Sequence, residues 1–518
     1  MSTNKSVAKS ATVIGIATLC SRLLGFVRDV VIARLFGVYV YAQAFVVAFK
    51  IPNLFRDMVG EGATNAAFVP VFSEYLTRHT KEEFWELANV ILNLLLVILS
   101  VISILGIILA PFIVRVIAPG FMADPYKLAT TVKLTRVIFP YLLLISLAAY
   151  SMGILNSLKH FALPAFAPCL LNISIIIFAL LFGEGVKGLS LGVLVGGVLQ
   201  LVAQIPLLYK KGFRLRLFRR FRHPAAKTIG ILMVPRLVSS CIYQLNNFVD
   251  SIFGSLATIV GEGGVAVLYF AYRLIQFPLG VFSNALSQAI LPTMSIQALE
   301  DNRHGLKHTL SWGLRANFFV LLPASVAFMV LAEPIISGLF QGGRFDSYSV
   351  HITSRVLFFY SLGLFAYGGK KILQSCFFAL KDTVTPTKVA SLALFLNIVL
   401  NAILMFPLKL SGLALATSLS GIISFLVLFK LLKNKVEGFN AQEVVISFLR
   451  ILLASVCMGV VCYFISKRCT VISGGAIARM INLSFILFFG FISYICFCFI
   501  FRVPEARELW RWVNRRKA

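Results

Sequence analysis

AFKIP (Ala48–Pro52), followed by FVPVFS (Phe68–Ser73), returns about 220 residues later as AYRLI (Ala271–Ile275) followed by ILPTMS (Ile290–Ser295). The echo keeps its order along the chain. RVIFPY (Arg136–Tyr141) is matched by RVLFFY (Arg355–Tyr360), ILNS (Ile154–Ser157) by ILQS (Ile372–Ser375), and Asn172-Ile173 by Asn397-Ile398. Ordered matches of this kind mark an internal duplication. Each copy holds six apolar segments, and an even number leaves both copies in one membrane orientation. The expected relation is an axis along the membrane normal, with the substrate site between two pseudo-symmetric lobes. Lys50 of the first copy aligns with Arg273 of the second, so the duplication sets a cation at the same place in both.

The 518 residues are 59% hydrophobic and 13% charged, with a mean hydropathy of +0.90. Such a balance excludes a soluble globular protein and points to a polytopic membrane protein. At about 20 residues per crossing, fourteen helical segments are predicted, over 8–36, 41–77, 86–117, 128–158, 163–182, 188–209, 226–258, 264–299, 307–332, 348–380, 387–406, 411–433, 442–465 and 479–502. They lack the period-2 alternation of an outer-membrane barrel, so the class is all-α. The expected organisation is a lobe over 1–222 (segments 1–6 and a basic loop), a second lobe over 223–437 (segments 7–12), and an appended helix pair with a basic tail over 438–518.

The net charge of +28 is concentrated beside the loops that face inward when the N-terminus is cytoplasmic. The stretch from Lys210 to Lys227 alone carries eight basic residues and no acidic one. This positive-inside bias predicts both termini in the cytoplasm and argues against nucleic acid as partner. Contact of the loop with anionic lipid headgroups is a secondary use. Most of the nine cysteines sit inside apolar segments and none forms a CxxC pair, so they read as small buried apolar residues. No Walker sequence, HExxH or GxSxG is present, and enzymatic activity is not expected.

Arginines stand where apolar helices tolerate them least. Arg22 and Arg28 lie in the first segment, Arg56 in the second and Arg273 in the eighth. A cation at mid-membrane costs about 2.5–3.5 kcal/mol on insertion scales. Too few carboxylates lie nearby in sequence, so an anionic substrate in a wet cavity is expected to meet these charges. In SRLLGFVRDVVIARLFG (Ser21–Gly37), Arg22 and Asp29 share a helix face and form a candidate pair, while a break at Gly25 would turn Arg28 to the same cavity. In the second segment Lys50 and Arg56 flank Pro52, and Glu61, between Gly60 and Gly62, offers a cation or proton site. In the eighth, Arg273 joins the amides Gln276 and Asn284 beside Pro278 and Gly280. Arginine's planar fork suits phosphate or diphosphate. Asp250, Asn397, Asn401 and Thr417 offer oxygens suited to a monovalent cation such as sodium; the alternative is ordinary interhelical hydrogen bonding between the amides.

SRLLGFVRD (Ser21–Asp29), AFKIPNLFR (Ala48–Arg56), EGA (Glu61–Ala63), AFVPVFSEY (Ala67–Tyr75), APGF (Ala118–Phe121), LPAFAPCLLNIS (Leu163–Ser174) and YRLIQFP (Tyr272–Pro278) make the chain resemble, over essentially its whole length, the MurJ or MviN family of bacterial lipid II flippases. The resemblance implies a fold of the multidrug/oligosaccharidyl-lipid/polysaccharide exporter type, with two six-helix lobes and two C-terminal helices. It implies movement of lipid-linked peptidoglycan precursor from inner to outer leaflet of the cytoplasmic membrane. Apart from the resemblance, a monomer is expected, with no cofactor and with a coupled sodium ion as an option only. It places the family's essential cavity arginines on Arg22, Arg28, Arg56 and Arg273. Gln43 and Gln276 depart from relatives that carry acidic residues there. The alternatives are an exporter of another polyprenyl-diphosphate-linked oligosaccharide, and a multidrug exporter of the same fold.

Overall fold

In the computed structural model, residues 2–56, 68–183, 185–217, 223–436, 441–469 and 475–508 are described. Among them helix follows helix without a strand, and one isolated bridge joins Gly342 to Phe345. Ten helices of the described residues are long and apolar enough to cross a membrane, or eleven when the pair Ser347–Ser361 and Leu364–Ala379, bent by 42°, counts as one. The other predicted segments, 8–36, 41–77 and 226–258, coincide with Ser2–Phe36, with Val40–Arg56 plus Val69–Arg78, and with Pro224–Gly254. The fold is all-α and polytopic. Fourteen crossings are compatible with these helices without being counted by them.

The helix Lys81–Ile117 shows why the surrounding solvent is lipid. Thr80 caps it by accepting from the Glu83 amide, and Glu82 and Glu83 oppose the helix dipole in its first turn. Beyond that turn its outer face carries Val97, Val101, Ile104, Leu105, Ile108 and Phe112, the last two 62% and 65% exposed. A stripe of that size is incompatible with water and suits hydrocarbon.

The chain divides into two compact units, Met1–Ala257 and Thr258–Ala518. In the first, Ala162–Phe182 packs on Val186–Val202 through Gly188, Gly192 and Gly196, one per helical turn. A Cβ at Gly192 would stand 2.8 Å from the Ile175 Cα, and one at Gly188 2.6 Å from the Phe178 carbonyl oxygen. Small residues at this spacing let two backbones meet, the device that drives helix association where lipid removes the hydrophobic incentive.

The expected break at Gly25 does not occur. Ser2–Phe36 is one continuous helix, and Gly25 is buried within it. A single glycine costs a helix only about 1 kcal/mol, which packing outweighs. In the eighth segment, Pro278 and Gly280 produce a single π-helical turn, Leu279–Ser283, between Gly264–Pro278 and Asn284–Leu299. The extra residue in that turn absorbs the proline's missing donor while the helix continues.

The two C-terminal helices belong to the second unit: Ala476–Ile500 packs on Ala332–Phe340 and on Ala441–Cys469, which in turn docks on Arg303–Val330. Arg315 there donates to Glu443 Oε1 at 2.5 Å and lies 3.5 Å from Glu505 Oε1, which also accepts from Ser447. Tyr494 donates to the Phe319 carbonyl at 2.7 Å. In the turn after Leu364–Ala379, Asp382 accepts from Lys435 Nζ and from the Thr385 amide and hydroxyl. The lysine contact first, then the Thr385 donors, hold the Asp382 carboxyl well below the usual carboxylate range.

Candidate substrate-binding site

Two cations of the first unit are met by carboxylates of that unit. Arg28 and Asp29 are both buried, with Arg28 Nη2 and Nε donating to Asp29 Oδ1 at 2.7 and 3.0 Å. Arg28 Nη1 donates to Asn172 Oδ1 at 3.1 Å, and the Asn172 amide donates onward to the carbonyls of Ser21 and Pro168. Arg22, on the same helix, is exposed. The pair expected between Arg22 and Asp29 is thus replaced by Arg28 with Asp29. Seven residues span about 10.5 Å of helix axis, whereas the adjacent guanidinium folds directly onto the carboxylate.

Lys50, half-buried on Val40–Arg56, donates to Ser251 Oγ on Pro224–Gly254 and interacts electrostatically with Asp250. Arg28, expected to lack a nearby carboxylate, is thus met by Asp29, and Lys50 faces Asp250. The partner of Arg28 is its own neighbour in sequence, whereas that of Lys50 lies about 200 residues further along the chain. Gln43 is buried. The Arg56 side chain and Glu61 lie outside the described residues.

In the second unit Arg273 is half-buried and donates to Gln276 Oε1 at 3.4 Å, a long contact that leaves Gln276 exposed. Asn284, just past the π turn, accepts from Lys371. Lys371 and its neighbour Lys370 are half-buried on Leu364–Ala379, after the bend in the tenth segment. Neither lysine is among the residues expected at the site from sequence. The signal was present: two consecutive lysines interrupt an apolar run immediately before ILQS, where the first copy has Met152 and Gly153 before ILNS. Arg273 and Lys371 thus meet amides at two different levels of the eighth segment, Gln276 before the π turn and Asn284 after it; both are cations of the kind that bind phosphorylated groups.

Asn397, Asn401 and Thr417 form a ladder between two helices. Asn401 Nδ2 donates to Asn397 Oδ1 and Asn397 Nδ2 to Thr417 Oγ1, each at 3.1 Å, and Thr417 donates to the Leu413 carbonyl. Asn401 Oδ1 is buried with no hydrogen-bond partner among the described residues. Asp250 belongs to the first unit and these three residues to the second. Among the described residues no group of three or more His, Cys, Asp or Glu is placed to hold a metal ion.

The sequence profile of the family described as lipid II flippase MurJ matches residues 32–480. A probable lipid II flippase MurJ of Buchnera aphidicola subsp. Acyrthosiphon pisum is 35% identical over 96% of this chain and 97% of its own length. A solved lipid II flippase MurJ in an inward closed conformation is 29% identical, with a TM-score of 0.79 over 96% of this chain and 99% of that one. An inward-facing multidrug resistance MATE transporter of the MOP superfamily is 16% identical, with a TM-score of 0.67 over 82% of this chain and 98% of that one, a likeness of fold alone. With the profile covering most of the chain and the full-length relative well above 30% identity, the chain belongs to the lipid II flippase MurJ family.

Proposed function

We propose that this protein is a transporter that carries lipid II, an undecaprenyl-diphosphate-linked disaccharide peptide, from the inner to the outer leaflet of a bacterial cytoplasmic membrane. The observation that carries the reading is a cationic donor set on spanning helices, Arg22 in one unit and Arg273 with Lys371 in the other, in a chain of this family. Those cations bind the diphosphate, the sugar-peptide head occupies the wet cavity, and the polyprenyl tail stays in lipid along a groove of the two C-terminal helices. The lobes 1–222 and 223–437 alternate in opening, fourteen helices cross the membrane, the termini are cytoplasmic and the working unit is a monomer. Arg28, Asp29, Lys50, Arg56, Glu61, Gln276 and Asn284 complete the binding region, with Arg28 acting through the packing it holds together. An inside-negative potential favours outward movement of the diphosphate, by up to about 2.3 kcal/mol per charge per 100 mV.

Sodium coupling through Asp250, Asn397, Asn401 and Thr417 is the second part of the proposal, supported by the partnerless buried oxygen of Asn401. Flipping by purified protein in liposomes, with sodium gradients of either sign and the potential clamped at zero, tests it. A rate indifferent to the gradient and to Asp250→Asn leaves the ladder as interhelical hydrogen bonds. The decisive experiment for the main reading is complementation of flippase-depleted cells, scored by labelling lipid II on the outer face. Restored growth and labelling are expected, and growth without labelled lipid II would refute the substrate.

A further inference from the structure

After the short helix Ile205–Lys210, residues 213–216 run as an extended strap along Lys81–Ile117. Backbone outside helices needs partners at membrane depth, and here two asparagines supply them. Asn89 Nδ2 donates to the Arg214 carbonyl at 3.0 Å, and Asn89 Oδ1 accepts from the Arg216 amide at 2.7 Å, the reciprocal pairing of a neighbouring strand. Asn93 Nδ2 donates to the Arg216 carbonyl at 3.1 Å. Both asparagine side chains are buried. Phe213 is buried edge-on to Trp85, with ring centroids 5.7 Å apart.

These contacts climb the helix, from Trp85 through Asn89 to Asn93, so the strap rises from the polar end of Lys81–Ile117 into its apolar part. Asn93 stands about 18 Å along the axis from Lys81 at 1.5 Å per residue. Every side chain from Arg214 to Leu217 is exposed: Arg214 and Arg216 alternate with Leu215 and Leu217, which are 47% and 49% exposed. Lys210 and Lys211 are exposed just below, and no acidic residue occurs between Lys210 and Lys227. Apolar side chains interleaved with cations, on a backbone fixed beside a spanning helix, match the boundary between lipid phosphates and acyl chains.

We propose that the strap is a binding surface for anionic phospholipid headgroups, with Leu215 and Leu217 seated among the acyl chains and Arg214, Arg216, Lys210 and Lys211 on the lipid phosphates. An acidic protein partner is disfavoured because the leucines rise along the apolar part of the helix, where such a partner does not reach. The proposal requires only that the chain spans a membrane, and is independent of the substrate it carries.

The test is titration of full-length detergent-purified protein with phosphatidylglycerol or phosphatidylcholine, counting bound lipid by native mass spectrometry. Phosphatidylglycerol should bind preferentially, and the double variant Arg214→Gln/Arg216→Gln should weaken it about tenfold. Asn89→Leu keeps every charge but unties the strap, and should weaken binding about threefold. Lys227→Gln, also exposed and basic but off the strap, should leave it unchanged. Because Asn89 is buried, its variant is scored only with a wild-type circular dichroism spectrum and a monodisperse elution profile; the exposed arginine pair decides the matter otherwise. Wild-type affinity in the double variant, equal binding of the two lipids, or an equal loss in Lys227→Gln would each overturn the proposal. So would displacement of the lipid by millimolar inorganic phosphate, which would make the strap a free-phosphate site.

Discussion

Arg28 Nη1 donates to Asn172 Oδ1 at 3.1 Å, tying the first helix to the proline-containing helix Ala162–Phe182 across 144 residues of sequence. The guanidinium is simultaneously neutralised by Asp29. A buried charge with both a counter-ion and a neutral acceptor holds helices together, and losing one member strands the other. Removal of one partner of such a pair costs about 3–5 kcal/mol, whereas removal of both is much milder.

Arg28→Ala and Asp29→Ala should therefore each lower the melting temperature of the purified protein, and the double variant should melt above either single. Asn172→Ala should have a smaller effect, about 1–3 kcal/mol, as it removes one charge-assisted hydrogen bond and the amide's contacts with the Ser21 and Pro168 carbonyls but leaves the ion pair in place. Additive losses in a double-mutant cycle would mean that the two charges do not sense each other. A loss of flipping in Arg28→Ala then has to be read beside its stability.

Arg22, exposed on the same helix, should behave differently from Arg28. Arg22→Ala, Arg273→Ala and Lys371→Ala should abolish or sharply reduce complementation while membrane insertion and melting temperature stay within about 2 °C of wild type. Arg22→Lys and Arg273→Lys should rescue only partly, since a point charge lacks the two-pronged geometry. Normal growth on all the alanine variants would remove the substrate-binding role.

Gly192 tests the packing in the first unit. Gly192→Leu drives a side chain into the Ile175 backbone, 2.8 Å from where its Cβ would stand, and should cost about 1–3 kcal/mol. Gly15→Leu, at a glycine with no heavy atom within 4 Å of its Cβ position, should be neutral or slightly stabilising. Equal melting temperatures for the two variants would contradict the close helix approach.

Asp382 gives a pH signature. Its carboxyl is held below its ordinary value by Lys435 and Thr385, so the contact contributes stability above the unfolded-state pKa of about 3.9 and loses it as pH falls through the folded value. Asp382→Asn should melt about 1–2 °C below wild type at pH 7, a small effect because Lys435 is 42% exposed. The gap should narrow only below about pH 4. A gap that disappears already at pH 6 would assign the effect to another group.

Much of the molecule is legible in the amino-acid sequence. Hydropathy is a property of consecutive residues, so the apolar segments and the helical class follow from the chain, and the ordered echo of AFKIP in AYRLI marks the two copies directly. Pro278 with Gly280 also announced its irregularity, because a missing donor must disturb a helix whatever surrounds it. Which charge meets which is not legible in the same way. Helical periodicity put Arg22 on the face of Asp29, but side-chain reach gave Asp29 to Arg28, and Asn172 was invisible at 144 positions' distance.

The remaining relationships exist only because helices pack. Lys50 meets Ser251, Lys371 meets Asn284, and Arg315 meets Glu443 and Glu505, each pair separated by more than 80 residues. No local rule connects such residues: their meeting depends on rotation and depth of whole helices, set by contacts such as glycine against backbone at Gly192. The amino-acid order by itself determined the all-α, polytopic class, because hydropathy is carried by consecutive residues. Only the packed structure showed that Arg28 and Lys50 are neutralised from within while Arg22 is exposed, because that depends on how each helix is turned against its neighbours.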